Sequence, residues 1–563
     1  MRNTLTTLLC ILTLALAAPV SRGQAPRLEK RGNTTQLIVD GRPYLVLGCE
    51  LGNSSSSSRS YMAPYWDRLG QSGVNTVLAV VSWEQIEPEE GRFDFRVVDE
   101  LIADARARGL KLALLWFGSW KNGVSSYQPA WVKRNPKKYP LARTPEGKPL
   151  PILSTLGAQS CNADGKAFAA LMRHLRQTDG EHTVIMMQIE NEVGLHGHTR
   201  DHSPEAEKAF RGQVPKELIA YLQSHRDSLL PETLEAWERG GFRTSGTWEQ
   251  VFGKGDRTDE LFMAWHYASY MEKVTAAGKA EYDIPAFVNA WIVQPEDTRP
   301  GNYPAGGPQA QNHDVWRAAA PSIDILSPDI YLPDFPEILR LYSRAGNPVF
   351  IPESRAGQNG AANAAFAIGE LGAIGYSPFG FESGALSPEN ATFNSFYRKA
   401  AAAADIILDA QARGEIRAAW LKGSNPQVVK QELTLGDYKV DVELVSSGRR
   451  NGGAPQLTGG SYAADAAGYA IVIREDKDKF LFLGSNVRIT FRPASGKGIA
   501  GLAKVTEGDF EDGKWVEGRW LNGDQIQLRY DLLDAVDEGY SGQGINFGRP
   551  EPGFVKVELF NYE

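Results

Sequence analysis

From about residue 40 to 390 the chain alternates apolar runs of strand length with helical stretches, and few folds accept that grammar. The first four runs are Tyr44-Leu-Val-Leu-Gly-Cys-Glu50, Val74-Asn-Thr-Val-Leu-Ala-Val-Val81, Leu110-Lys-Leu-Ala-Leu-Leu-Trp-Phe117 and Val184-Ile-Met-Met-Gln-Ile-Glu-Asn-Glu192. The next four are Ala286-Phe-Val-Asn-Ala-Trp291, Ile323-Asp-Ile-Leu-Ser-Pro-Asp-Ile-Tyr331, Val349-Phe-Ile-Pro-Glu353 and Gly372-Ala-Ile-Gly-Tyr-Ser-Pro-Phe379. Helical periodicity fills the gaps, as over residues 95–108 and 167–178. The fold class read from this is α/β, a (β/α)8 TIM barrel with long βα insertions. A doubly wound open sheet is the rival, but no Gly-rich phosphate loop follows the first run.

Past about residue 400 the pattern changes. A last helix over residues 400–412 is followed by short runs of period two, such as Tyr438-Lys-Val-Asp-Val-Glu-Leu-Val, Lys479-Phe-Leu-Phe-Leu and Val555-Lys-Val-Glu-Leu-Phe. Turn signals separate them, among them Ser495-Gly-Lys-Gly and Leu521-Asn-Gly-Asp, and the combination predicts a C-terminal all-β sandwich. The expected division is a signal peptide at 1–23, the catalytic barrel at 24–395 and a β-sandwich with a leading helix at 396–563. The signal reading rests on Met1-Arg-Asn-Thr followed by a largely apolar run from Leu5 to Ala18, too short to span a bilayer. No later stretch is apolar enough to cross a membrane, so the expectation is export to the periplasm or the outside, without membrane insertion. The serine run at 54–58 is low in complexity and reads as a mobile loop beside the first strand's end.

A chain of 563 residues exceeds one compact core, and 42% hydrophobic with 23% charged residues is ordinary for a globular protein. The net charge of −8 and the lack of a Lys/Arg stripe argue against a nucleic-acid partner. Beyond the signal, Cys49 and Cys161 remain; an exported chain permits their pairing, and two separate buried thiols is the other reading. The composition carries no statement about oligomeric state.

The polar residues of the barrel region gather at the C-terminal ends of its runs, where barrels of this kind build active sites. They are Glu50, Trp83 with Glu84, Glu190-Asn191-Glu192, Asn289, Tyr331 and Glu353. Two acids on two strand ends are what cleavage of a glycosidic bond needs: one protonates the leaving oxygen, the other attacks or activates water. Strict alternation sets Glu190 and Glu192 on one side of the strand and Asn191 on the other. For Asn191 and Glu192 both to face a substrate, the strand end must bulge or curl, leaving Glu190 as an inner residue. Trp83, Trp116, Trp120 and Trp291 lie near strand ends, where an indole face stacks on a sugar or simply packs. His196, His198 and His202 have ligand-like spacing, but carboxylate–water chemistry needs no metal, and a solvated rim loop is the reading taken. Neither a metal nor a cofactor is expected.

Gln188-Ile-Glu-Asn-Glu-Val-Gly194 resembles the Gln-Ile-Glu-Asn-Glu-Tyr-Gly signature of glycoside hydrolase family 35, the β-galactosidases. Val81-Ser-Trp-Glu-Gln-Ile-Glu-Pro-Glu-Glu-Gly-Arg-Phe-Asp-Phe95 is similar to that family's second-strand motif. The resemblance covers roughly residues 35–390. It implies a retaining enzyme with Glu192 as acid/base, Glu353 as nucleophile, Asn191 on the sugar 2-hydroxyl and Tyr331 bonded to the nucleophile. The family's usual Ala-Glu-Trp after the third strand is replaced by Phe117-Gly-Ser-Trp-Lys-Asn122. Ser119 thus stands where a Glu would grip galactose hydroxyls, with Lys121 and Asn122 as replacement contacts, and the chain resembles a divergent branch. The expected substrate-binding set is Asn191, Tyr331, Trp83, Trp120, Ser119, Asn122, Trp291 and Glu50. The expected activity is removal of terminal β-galactosides from an oligo- or polysaccharide, such as side chains of plant polysaccharides. Another retaining β-glycosidase of the same barrel clan is the alternative within enzymes, and a carbohydrate-binding protein without catalysis the alternative outside them.

Overall fold

In the computed structural model, which describes residues 23–424, 426–445, 466–521, 523–526, 543–548 and 550–562, eight parallel strands close into a barrel. They are β1 (Val46–Glu50), β2 (Thr76–Ser82), β3 (Lys111–Lys121), β4 (Val184–Asn191), β5 (Ala286–Trp291), β6 (Ile325–Asp329), β7 (Ile351–Ser354) and β8 (Gly375–Pro378). Each expected run supplies one strand, and neighbours in sequence are neighbours in the barrel, with β8 returning to β1. Helices separate the strands, and five of them, from Pro204–Phe210 to Asp256–Lys279, form the long insertion between β4 and β5.

Alternation along the strands gives the barrel two cores. Val46, Leu78, Val80, Ala113, Leu115, Phe117, Phe287, Ile325 and Phe350 form one buried cluster. Intervening residues such as Leu47, Val77, Ala79, Leu112 and Leu114 belong to another, with the helices. Burying such side chains contributes about 1.5–3 kcal/mol each. Leu37 and Val39 join the first cluster from a three-stranded sheet of Arg27–Arg31, Thr34–Val39 and Arg42–Tyr44. That sheet was not foreseen: its first strand is largely polar and only part-buried, so it lacks a clear apolar run.

The C-terminal strands form a six-stranded and a four-stranded antiparallel sheet. The larger is apolar on both faces. Ala419, Leu421, Ala470, Val472, Phe480 and Phe482 join the core shared with the smaller sheet, while Ala418, Trp420, Tyr469, Ile471, Leu481 and Leu483 join the barrel's core. Between barrel and sheet lies the helix Gly357–Leu371, buried at Ala361, Ala362, Ala364, Ala365 and Ala367, as a helix enclosed on all sides must be. The expected single helix over 400–412 is two helices, Ala391–Ala402 and Ala404–Arg413, so the 395/396 boundary falls inside the first.

Other differences are local. The serine run is held down: Ser55 Oγ donates to Glu382 Oε1 at 2.6 Å and Ser56 Oγ to the Val80 carbonyl at 2.6 Å. Cys49 and Cys161 are both buried free thiols. Among the described residues no helix is long and apolar enough to cross a membrane. The expected signal segment, but for Gly23, lies outside the described residues.

Candidate active site

The end of β4 curls. Glu190 and Glu192 have φ of 58° and 43°, left-handed backbone that bulky residues rarely adopt. This breaks the alternation. Strand β3 supplies the matching irregularity: Trp116 pairs with Ile189 but Lys121 with Asn191, so extra residues bulge between them. The bulge wraps the Glu190 carboxylate, which accepts backbone N–H bonds from Gly118 (3.1 Å), Ser119 (2.8 Å) and Trp120 (2.9 Å). A Cβ on Gly118 would lie 2.6 Å from Glu190 Oε1, so only glycine fits there. Glu190 is fully buried, and burial with the neighbouring Asp164 carboxyl pushes it well above the usual carboxylate range.

The same bulge brings Lys121 and Asn122 to the end of β4. Lys121 Nζ donates to Asn191 Oδ1 at 2.9 Å, and Asn122 Nδ2 donates to Glu192 Oε2. Asn191 Nδ2 is buried with no partner among the described residues, a donor left for a ligand. From β5, Asn289 Oδ1 accepts the Glu192 backbone N–H at 3.0 Å. The Asn289 amide also donates to Asp329 Oδ2 at 2.7 Å, at the end of β6. From β7, Glu353 Oε1 accepts the Tyr331 hydroxyl at 2.5 Å, and Glu353 Oε2 is buried without a partner among the described residues. Arg355 does not pair with Glu353; its guanidinium lies over the Tyr331 ring, 5.4 Å from the centroid.

These groups meet at a cleft of about 300 Å³ lined by Asn122, Glu192, Trp291, Asp329, Tyr331 and Glu353, with Ile292, Gln294 and Leu332. One carboxylate oxygen each of Glu192, Asp329 and Glu353 lies within 4.8 Å of the others. Burial, then the Glu353 charge, pushes Glu192 up to about 7, with Lys121 pulling the other way. Burial also raises Glu353, which the Tyr331 hydroxyl and Lys121 hold down. Glu50, wholly buried with both oxygens unpartnered among the described residues, is driven well above its ordinary range by burial and the Glu353 charge.

Of the expected site residues, the cleft therefore gathers Glu192, Glu353, Tyr331, Asn122 and Trp291, with Asn191 bonded beside it and Glu50 electrostatically coupled to both acids. Three lie elsewhere. Trp83 is buried, with its ring perpendicular to that of Trp131, and donates to Glu87 Oε2 at 2.8 Å. Trp120 is buried against Tyr267 and Tyr270 and donates to the Leu153 carbonyl. Ser119 is fully buried, with Oγ 2.7 Å from Asp164 Oδ2 and 2.8 Å from the Tyr270 hydroxyl. Of the histidines, His196 packs against Trp291 and His202 bonds Glu207. The one converging set of potential metal ligands among the described residues is Glu192, Asp329 and Glu353 themselves, where Lys121 already supplies positive charge.

Asp329 is the site residue that sequence reasoning missed. Its signal was the one that marked Glu192, an apolar strand ending in an acid, but Ser327-Pro-Asp329 also reads as a turn.

Residues 57–227 match the model of glycoside hydrolase family 42, described as β-galactosidase, and residues 393–532 match a domain of unknown function, DUF5597. A β-galactosidase of Xanthomonas manihotis is 30% identical over 206 residues, 34% of this chain and 31% of that one. β-Galactosidase BgaA of Thermus sp is 27% identical over 151 residues, 26% of this chain and 22% of that one. The matches thus span less than a third of either relative's length. Among solved structures, β-galactosidase from the psychrophilic Marinomonas ef1 superposes with a TM-score of 0.45 at 14% identity, covering 65% of this chain and 62% of that one. The β-galactosidase of Bacillus circulans sp. alkalophilus gives 0.41 at 16% identity, covering 65% and 57%. Over residues 57–227 the chain is similar to β-galactosidase glycoside hydrolases, and the matching model is that of family 42 rather than the expected family 35.

Proposed function

We propose that the chain is a retaining exo-β-galactosidase in which Glu353 is the nucleophile and Glu192 the acid/base. The observation that carries this reading is the approach of Glu192 and Glu353 oxygens within 4.8 Å across one cleft. Retaining glycosidases hold their two carboxyls about 5–5.5 Å apart, and inverting ones about 6.5–9.5 Å to admit a water. The environments also divide the labour. Glu192, raised to about 7, keeps a proton to give near neutrality, whereas Glu353 has the Tyr331 hydroxyl and Lys121 to favour its charged form.

In the first step a Glu353 oxygen attacks the anomeric carbon while Glu192 protonates the departing glycosidic oxygen, leaving a glycosyl ester on Glu353. In the second, Glu192 takes a proton from water, whose oxygen displaces the ester and releases the sugar with its configuration retained. Asn191 Nδ2 is the donor available to a sugar hydroxyl, and Trp291 the aromatic wall. Galactose is proposed from the sequence matches, and the family 35 reading rests on Gln188–Gly194. Because Ser119 points to Asp164 and Tyr270, any galactose grip on this side falls to Asn122 and Lys121. Natural substrates would be β-galactoside oligo- or polysaccharides met after export. A panel of nitrophenyl glycosides tests this: the β-galactoside should turn over fastest, with β-anomer as first product by proton NMR. Faster turnover of another sugar would reassign the specificity, and α-anomer appearing first would refute retention.

A further inference from the structure

Glu50, Glu192, Asp329 and Glu353 are each more than nine-tenths buried around the cleft, and the ammonium beside them is that of Lys121. Like charges within 4.8 Å in a buried site cannot all be ionised cheaply, so protons must remain on some. Each of the three acids within that distance has one side-chain hydrogen-bond donor. Glu353 has the Tyr331 hydroxyl, Glu192 has Asn122, and Asp329 has the Asn289 amide on Oδ2 alone. Among the described residues no donor reaches Asp329 Oδ1, which is buried. Glu353 Oε2 is placed alike, but Glu353 must be ionised to attack, so among the three acids Asp329 Oδ1 is the natural seat of a proton.

We propose that Asp329 is a carboxylic acid at the working pH and donates a hydrogen bond from Oδ1 to the Glu192 carboxylate, acting as a positioning residue for the acid/base. The inference rests on the glycosidase reading of Glu192. The chemistry makes sense of a neutral neighbour. Once Glu353 is esterified, Glu192 must lose its proton to serve as base, and an ionised Asp329 would oppose that loss. A neutral donor stabilises the ionised form instead. Asn289 fixes the pair, since its amide holds the Glu192 backbone through Oδ1 and Asp329 through Nδ2. Around Asp329 the other charged or titratable groups are Glu50, Lys121, Tyr331, Tyr342, Glu353 and, beyond Glu50, Glu382. Burial and the Glu353 and Glu192 charges raise Asp329 well above the usual carboxylate range, in keeping with the proposal.

The test is carboxyl-carbon NMR of protein labelled at Asp Cγ and Glu Cδ, which needs no substrate. Asp329→Asn and Glu192→Gln assign the two resonances. The Asp329 resonance should sit at the neutral-acid position at pH 7; a carboxylate shift there would overturn the proposal. Asp329→Asn keeps a donor and should leave the Glu192 midpoint in place, whereas Asp329→Leu removes it and should raise the midpoint by about one pH unit or more. A lower midpoint in Asp329→Asn would mean that a negative charge had been removed, and an unmoved midpoint in Asp329→Leu would mean no bond to Glu192; either refutes the assignment. If the Leu variant does not fold, the Asp329 resonance and the Asn variant still decide. Absence of glycosidase turnover in the wild type would instead count against the functional reading and leave these resonances to be judged on their own.

Discussion

Replacing Tyr331 by Phe should move the acid limb of the activity profile to higher pH. The Tyr331 hydroxyl sits 2.5 Å from Glu353 Oε1, and the other Glu353 oxygen has no donor among the described residues to compensate for the loss. A hydrogen bond to a charged group is worth about 1.5–3 kcal/mol, and about 1.36 kcal/mol corresponds to one pKa unit, so Glu353 should rise by about one to two units. The sign follows from the role. Glu353 reacts ionised, activity is lost as pH falls through its pKa, and raising that pKa moves the loss upward. At a pH on the wild-type limb, kcat/KM should then fall by about 10–100-fold, with much of the deficit recovered at higher pH. Because the bonded carboxylate is buried, the same loss should lower folding stability where Glu353 is ionised and little at pH below its pKa, so the variant should unfold at lower temperature at neutral pH than in acid relative to wild type. The assay is kcat/KM on a nitrophenyl β-galactoside across the acid and neutral range, for wild type and Tyr331→Phe. An acid limb that stays put, or moves to lower pH, would refute the claim that Tyr331 holds Glu353 ionised.

Ser119→Ala should cost about 1–3 kcal/mol in chemical unfolding, because Asp164 and Tyr270 lose a buried partner, while KM stays unchanged. A raised KM with unaltered stability would return Ser119 to the sugar. Glu192→Gln should stabilise the fold in a pH-dependent way. Glu192 rises from 4.5 to about 7 on folding, so its contribution is lost as pH climbs between those values. The amide should therefore gain up to about 3 kcal/mol above pH 7 and little below pH 4.5. An equal effect at both ends would contradict the raised acid.

The barrel was legible because its strands are buried on both sides and announce themselves as apolar runs with polar ends. The sheet from Arg27 to Tyr44 was not, since edge strands half open to water carry polar residues that look like a leader's tail. At the site, the curl of β4 could be argued in advance from the demand that Asn191 and Glu192 face the same way, and left-handed Glu190 and Glu192 are how the chain meets it. The tryptophans were harder. Trp83 and Trp120 lie near strand ends in sequence, but their indole N–H groups are satisfied inside by Glu87 and the Leu153 carbonyl, contacts that no local pattern reveals. Ser119 was placed by analogy with a motif, whereas the β3 bulge that swings it towards Asp164 depends on Glu190, 71 residues on. Asp329 was concealed by its own Pro-containing turn signature.

The account stands most directly on which carboxylate attacks the sugar. Incubation with a 2-fluoro-β-galactoside bearing a good leaving group should inactivate the enzyme, and peptide mapping by mass spectrometry should find the fluorosugar esterified to Glu353. An adduct on Glu192, Asp329 or Glu50, or full turnover by Glu353→Gln, would contradict it.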